Sequence, residues 1–242
     1  MAILSKTQID RLGDRLKKGP PSEDDLRLLV QFRRSFRTAY ETVITTVRDR
    51  LHLKPTGRPA KSTSSIIEKL RRESIRLSQV QDIAGCRVIV ADILAQDHTV
   101  AILRETFQEV RVMDRRTNPS YDYRAVHVIV EAEGLSMEVQ VRSSLQHLWA
   151  ELSERLSDVV DSNIKYGGGD QKVRTHLAIM SRQVANLEEF ETELESLRNE
   201  LDPDEIRRVE HVRQRMALMK ASIAETLRNQ ISSVEELKGQ YK

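Results

Sequence analysis

Two acids and a row of polar side chains set into apolar strands mark where this sequence offers chemistry. Residues 80–91 read VQDIAGCRVIVA. The second half, from Cys86 to Val90, is rich in β-branched residues, as a strand in the middle of a sheet is. Asp82 precedes it, a small turn at Ala84-Gly85 follows the acid, and Arg87 interrupts the apolar run. An unpaired charge taken out of water is costly, so a buried strand carries an arginine only beside a partner. Asp82 and Arg87 are therefore expected to line a polar site at the strand's leading end. Further on, Met137-Glu138-Val139-Gln140-Val141-Arg142 alternates strictly, placing Glu138, Gln140 and Arg142 on one face and three apolar residues on the other. That polar face is either wet or part of the same site. Two acids meeting across a sheet suit a divalent cation with phosphate oxygens, which favours the site.

The loop 54–65 adds a third group. Arg58, Lys61, three serines and Thr63 lead into a helix expected over 66–72. Hydroxyls and cations before a helix N-terminus suit an anion, because the free backbone N–H groups and the dipole point the same way. Lys69, one turn after Ser65, presents its ammonium to that side. No G-x-x-x-x-G-K-[ST] loop occurs, so this is not a Walker A site.

Charge is placed unevenly on a chain whose net value is only +2. Residues 47–76 hold nine Lys/Arg against three acids, whereas 188–205 hold nine acids against one Arg. The basic block suits polyphosphate or nucleic acid, and the acidic block suits a solvated helix face or a partner surface. With 242 residues the chain allows one good-sized domain or a domain plus a helical appendage, and 39% hydrophobic with 4% aromatic content fits a helix-rich protein. No run approaches the ~18 apolar residues of a membrane span, and the first residues lack a secretory apolar core. Cys86 is the only cysteine, so no internal disulfide forms; a buried thiol in a reducing cytoplasm is expected. The six histidines show no metal-ligand spacing, and no zinc site is indicated.

The elements that must position these groups follow from periodicity. A helix is expected over 5–17, closed by Gly19-Pro20-Pro21, and another from a capping-box-like Ser22 and Asp25 onward, with Leu26, Leu29, Phe36, Tyr40, Val43, Val47 and Leu51 on one face. A helix over 92–107, a strand over 109–113 and a hairpin of 126–132 and 136–143 across Glu133-Gly134 come next. Leu145, Leu148, Trp149, Leu152 and Leu156 form a helical stripe expected to cover the sheet's apolar face. After Gly167-Gly168-Gly169, two long helices are expected. The first carries an apolar stripe from Val173 to Leu201, and the second, capped by Asp202 with a proline at its first position, carries one from Val209 to Val234. A helical hairpin is favoured over inter-chain coiled-coil pairing. The resulting segments are 1–53, helical; 54–165, the sheet-bearing domain that carries the candidate site; and 170–242, the hairpin.

From about Arg58 to Leu156 the assembled residues resemble the synthetase domain of the RelA/SpoT-type pyrophosphokinases, the alarmone synthetases. The Arg-x-Lys…Ser-Ile-x-x-Lys pattern appears as Arg58, Lys61 and Ser65-Ile66-Ile67-Glu68-Lys69, with Ala60 lengthening the first spacing by one. Asp-x-x-Gly-x-Arg matches Asp82 to Arg87, and Glu-[Ile/Val]-Gln-[Ile/Val]-Arg matches Glu138 to Arg142, with Trp149-Ala150 after it. The acceptor loop of that family is echoed by Asn118-Pro119-Ser120 and Tyr123-Arg124-Ala125-Val126-His127. Here Ser120 replaces its lysine, Asp122 its glycine and Ala125 its serine.

The resemblance implies an α+β, nucleotidyltransferase-like fold: a mixed sheet of about four to five strands flanked by helices, with N-terminal helices and a long C-terminal helical hairpin. It implies transfer of the β,γ-pyrophosphate of ATP to a ribose 3′-hydroxyl of GDP or GTP. In that reading Asp82 and Glu138 hold Mg²⁺, and Glu138 also acts as base. Arg87 steadies the transferred phosphoryl oxygens, while Arg58, Lys61, Ser65 and Lys69 hold ATP. Tyr123 stacks on the acceptor base, and His127, Gln140 and Arg142 position its phosphate or ribose. Three functions stay open: a small, cytoplasmic alarmone synthetase; a toxin-like relative acting on the tRNA 3′ end, which the altered acceptor loop supports; and a non-catalytic nucleotide-sensing interaction protein. No His-Asp dipeptide occurs, so the hydrolase domain of bifunctional relatives is not expected. The C-terminal helices are expected to build a homo-oligomer, bind a protein partner or fold back on the chain.

Overall fold

The computed structural model describes residues 4–198 and 200–240. Their contacts group into two compact units. The first runs to Val88 and takes in Val100–Val112 and His127–Gln140, and the second takes Ile89–Thr99, Met113–Val126 and the chain from Val141. Five strands form one mixed sheet in the order β1-β2-β5-β4-β3, built from β1 (Thr56–Arg58), β2 (Gly85–Val90), β3 (Val110–Asp114), β4 (Val126–Ala132) and β5 (Leu135–Ser143). With the flanking helices this is the expected α+β fold. The β4–β5 turn uses Glu133 and Gly134 at φ 52° and 71°, the left-handed pair that matches strand twist in a two-residue hairpin.

In the first unit, α1 (Lys6–Lys18) and α2 (Glu23–Ser35) each begin with a capping box, Ser5 with Gln8 and Ser22 with Asp25. The helix expected to run on from Ser22 is two helices. It breaks at Phe36, whose N–H still bonds the Arg33 and Arg34 carbonyls, and resumes as α3 (Arg37–Asp49). Phe36 meets Phe32 edge-to-face at 5.3 Å. The apolar spacing continues through this corner, so periodicity alone does not reveal it. β1 lies inside the stretch read as loop, too short to show a pattern, and pairs antiparallel with β2 as Thr56↔Arg87, Gly57↔Cys86 and Arg58↔Gly85. α4 (Thr63–Arg72) starts earlier than Ile66 because Ser62 caps it. Leu12, Leu16, Leu29, Ile66, Leu70, Ile83, Leu103 and Met137 are fully buried in this unit.

α5 (Ile93–Thr106) links β2 to β3. The second unit is dominated by α6 (Ser144–Val159), α7 (Gln171–Arg198) and α8 (Pro203–Gln240). The α6 stripe was expected against the sheet. Its Leu145, Trp149 and Leu152 instead join Leu177, Met180, Val184 and Leu187 of α7 and Leu227, Ile231 and Val234 of α8 in one core. Trp149 Nε1 donates to the Leu177 carbonyl at 2.8 Å, confirming a structural role. His176 meets Gln230, Glu191 meets Lys220 and Glu195 meets Arg213, the antiparallel register of a helical hairpin. Phe190, Leu197, Val212 and Met219, read as part of the packed stripe, are exposed, because α8 packs along α6 as well as α7. No helix among the described residues is long and apolar enough to cross a membrane.

Candidate active site

The site in the first unit is built on a glycine. A Cβ on Gly85 would lie 2.4 Å from the Glu138 carbonyl oxygen, so only glycine lets β2 start this close to β5. Asp82 stands in the turn before it, its side chain 14% exposed. Lys61 Nζ donates to one carboxylate oxygen, and Lys69 Nζ reaches the other at 3.0 Å. Arg58 Nη2 donates to the Asp82 carbonyl at 3.2 Å and lies 3.9 Å from the carboxylate. Burial pushes the Asp82 carboxyl up, but the two ammonium groups outweigh it and hold the group at about 2.

Lys61 is held at both ends of its peptide. Its N–H donates to the Ile83 carbonyl at 2.6 Å, and its carbonyl accepts from Arg33 Nη1 of α2 at 3.2 Å. Next to it, Ser62 Oγ caps α4 by accepting the Ser65 N–H at 3.2 Å and itself donates to Ser65 Oγ at 2.8 Å. Gly57 packs under a side chain of α3: a Cβ there would fall 1.7 Å from Tyr40 Oη, so a larger residue would have to displace that ring. The N-terminal helices thus shape the basic loop.

Glu138 is buried on β5, with His127 Nδ1 of β4 at 2.8 Å from one oxygen and Gln140 Nε2 donating to the other at 2.7 Å. Burial raises its pKa and so does the charge of Asp82, yet His127 and Gln140 bring it below the ordinary value, so the carboxylate is ionised. An ionised carboxylate only accepts, which places the proton of the His127 pair on Nδ1. A cavity of about 150 Å³ is lined by Thr56, Gly57, Arg58, Gly85, Cys86, Arg87, Glu138 and Gln140. That is smaller than a whole-nucleotide pocket and of a size for a phosphoryl group. Burial, then the charge of Glu138, pushes the Cys86 thiol up to about 12. It takes no part in nucleophilic chemistry.

Asp82 and Glu138 are two ionised, oxygen-only donors, and among the described residues no cluster of three or more His, Cys, Asp or Glu forms. One or two carboxylates completed by substrate phosphates is how Mg²⁺ is commonly held, and oxygen donors of this type fit that ion.

The structure therefore gathers Arg58, Lys61 and Lys69 around Asp82 and His127 and Gln140 around Glu138, with Arg58, Arg87, Glu138 and Gln140 lining the cavity. Ser65 stays in the first turn of α4. Tyr123 and Arg142 belong to the second unit. Arg142 is buried, its Nη2 donates to Tyr123 Oη at 3.0 Å, and its guanidinium lies 5.1 Å from the Tyr123 ring centroid. That ring packs against the α6–α8 core, so Tyr123 is an anchor for Arg142 more than an open stacking surface. Arg33 and Tyr40 escaped sequence reading because each acts through one contact far along the chain. The hydroxyl of Tyr40 facing the glycine of Thr56-Gly57-Arg58 has no local signature.

Residues 57–157 match the family described as “Region found in RelA / SpoT proteins”. An uncharacterized protein of Mycobacterium tuberculosis is 38% identical over 113 residues, 44% of this chain. The chain covers 41% of that relative's length. GTP pyrophosphokinase YjbM of Bacillus subtilis is 28% identical over 158 residues, 57% of this chain and 70% of that one. The crystal structure of small alarmone synthetase 1 from Bacillus subtilis bound to its product pppGpp superposes with a TM-score of 0.51. It is 24% identical and covers 74% of this chain and 98% of that one, a likeness of fold. Residues 57–157 are a RelA/SpoT-type region.

Proposed function

We propose that the RelA/SpoT-type region moves the β,γ-pyrophosphate of ATP to the 3′-hydroxyl of a guanosine nucleotide, GDP or GTP. The observation that supports this reading is that two ionised acids and a cluster of cations stand in one unit, Lys61 and Lys69 on Asp82 and Glu138 beside Arg58 and Arg87 on a small cavity. Phosphoryl-type transfer needs alignment and charge stabilisation more than covalent help. Lys61 and Lys69 are already deprived of water and aimed at one anion, Asp82. An arriving triphosphate offers them more charge than one carboxylate, so they turn to its oxygens while Arg58 and Arg87 steady the group in transfer. Mg²⁺, held by Asp82 and Glu138, would neutralise charge on the pyrophosphoryl group. Glu138 takes the proton of the attacking hydroxyl. His127 and Gln140 hold its two oxygens in place, and its ionised state keeps it available at neutral pH.

The relatives named as GTP pyrophosphokinase and small alarmone synthetase support this reading. The test is to incubate the full chain with γ-labelled ATP and Mg²⁺ and to offer GDP, GTP, adenosine nucleotides and deacylated tRNA separately. Label on GDP or GTP, lost about a thousandfold in Glu138→Gln, is the expected result. Label on tRNA alone moves the reading to the RNA-directed branch. No label on any acceptor, with Glu138→Gln indistinguishable from the parent, rejects the enzyme.

A further inference from the structure

Two residues of the N-terminal helices reach the basic loop from its two ends, and the reaction described above gives them no part. Arg33 stands in the last turn of α2 and Tyr40 in the first turn of α3, on either side of the corner at Phe36. Phe36 bonds to both: its N–H donates to the Arg33 carbonyl at 3.2 Å, and its carbonyl accepts the Tyr40 N–H at 2.8 Å. Leu29, Phe32 and Phe36 are buried, and the two rings meet edge-to-face, which makes the corner a rigid mount.

From this mount Arg33 Nη1 donates to the Lys61 carbonyl at 3.2 Å. Among the described residues Arg33 makes no ion pair with an acid, so its charge is not answered by a carboxylate. Balancing the negative end of α2 asks only for a cation nearby, and exposed Arg34 serves that purpose. The aim of Arg33 at one backbone oxygen calls for another reason. At the loop's other end Tyr40 Oη stands against Gly57, which with Arg58 pairs to Cys86 and Gly85 of β2. One corner thus supports both ends of residues 57–61.

The use of that support follows from Lys61. Its peptide N–H donates to the Ile83 carbonyl at 2.6 Å, and its ammonium donates to Asp82, the neighbouring residue. Under the pyrophosphokinase reading the ammonium leaves Asp82 for the donor's phosphates. The side-chain tie to the turn is then given up, and the peptide keeps two hydrogen bonds, one to Ile83 and one from Arg33. Without Arg33 a single bond is left, and the loop must be ordered at the moment of binding.

We propose that Arg33 and Tyr40 are positioning residues for the phosphate donor, through which the α2–α3 corner sets donor affinity. The identity of the donor rests on the pyrophosphokinase reading. The test is equilibrium binding of a non-hydrolysable ATP analogue, with Mg²⁺, to the full chain. Arg33→Ala should weaken binding about tenfold, as loss of a charge-assisted hydrogen bond does. Tyr40→Ala should weaken it several-fold, and Arg34→Ala, which removes the same charge from the same helix, should bind as the parent does. If Arg33 acts through Lys61, then Arg33→Ala made in a Lys61→Ala chain should cost no more than about twofold. In turnover Arg33→Ala should raise the KM for ATP, with kcat and the acceptor KM nearly kept. Circular dichroism checks each fold. Should Arg33→Ala unfold, Arg33→Lys, which keeps the charge and one donor, carries the same cycle with a smaller loss. Parent-like binding by Arg33→Ala or Tyr40→Ala overturns the proposal. So does an equal loss with and without the Lys61 side chain, which is what a merely structural arginine gives. Absence of analogue binding to the parent overturns it together with the pyrophosphokinase reading. Arg33-dependent binding with no label ever transferred leaves the positioning role standing and removes that reading alone.

Discussion

Replacing Asp82 by Asn tests the electrostatic heart of the site, and its size follows from the geometry. The side chains of Lys61 and Lys69 are 12% and 21% exposed, and Asp82 is the acid they share. Its carboxyl is held at about 2 in the folded chain against an ordinary 3.8. Linkage makes that difference worth about 2 kcal/mol of stability at neutral pH. The pKa is depressed, so the contribution is complete above 3.8 and is lost as pH falls through about 2; near pH 3 about half remains. Asp82→Asn also leaves two half-dehydrated ammonium groups facing each other, which brings the expected loss to about 3 kcal/mol at pH 7. The assay is denaturant unfolding of parent and variant at pH 7 and pH 3, followed by circular dichroism. The gap should shrink by about 1 kcal/mol at the lower pH. A metal-free ATP analogue should stabilise the variant more than the parent, because its phosphates replace the missing counter-charge. A variant as stable as the parent at pH 7, or a gap independent of pH, refutes the reasoning.

Gly85→Ala drives a Cβ to 2.4 Å from a backbone oxygen that has nowhere to go, and should cost about 3 kcal/mol with transfer activity falling in parallel. Cys86, the single cysteine, should resist a thiol reagent at pH 8 until the chain unfolds, which makes labelling a clean readout of opening in β2; rapid labelling of the native chain contradicts the burial described. Glu188 is buried with Ser143 and Gln146 donating to it, yet burial raises its pKa above the ordinary 4.5. An acid with a raised pKa stabilises most below its free value and loses that as pH rises. Glu188→Gln should therefore match or exceed the parent's melting temperature at pH 8, with the advantage gone near pH 4.5. A variant weaker at pH 8 than at pH 4.5, relative to the parent, counts against it.

What the sequence disclosed and what it withheld divide on physical grounds. Asp82, Arg87, Glu138 and Gln140 are legible because a strand's period of two makes a charged residue in an apolar run conspicuous. Lys61 and Lys69 are legible because hydroxyls and cations cluster at one helix start. Their mutual geometry is not: that both ammonium groups share one carboxylate depends on a turn and a helix 21 and 13 residues apart. The supports are less legible still. Arg33 holds Lys61 across 28 residues and Ser181 holds Asp122 across 59, each through one hydrogen bond that no spacing rule marks. The motif singles out Tyr123 over Tyr121, but it does not say which ring the fold leaves open. Only the packed core decides that the Tyr123 ring is partly buried and the Tyr121 ring exposed.

The charges around Asp82 and Glu138 do not balance. Arg58, Lys61, Lys69 and Arg87 set four positive charges against the two of Asp82 and Glu138, a net excess of two. A triphosphate brings about four negative charges, so the chain neutralises roughly half of them. Binding alone would be improved by removing both acids, because each repels the phosphates that the lysines attract. Their presence makes sense if a divalent cation enters with the nucleotide: Asp82 and Glu138 would hold it, and it would supply the missing positive charge. Nucleotide affinity should accordingly fall on Mg²⁺ removal in the parent. It should fall far less in a chain carrying both Asp82→Asn and Glu138→Gln, where little repulsion is left for the ion to cancel. An equal fall in both would mean that the ion is held by the nucleotide alone.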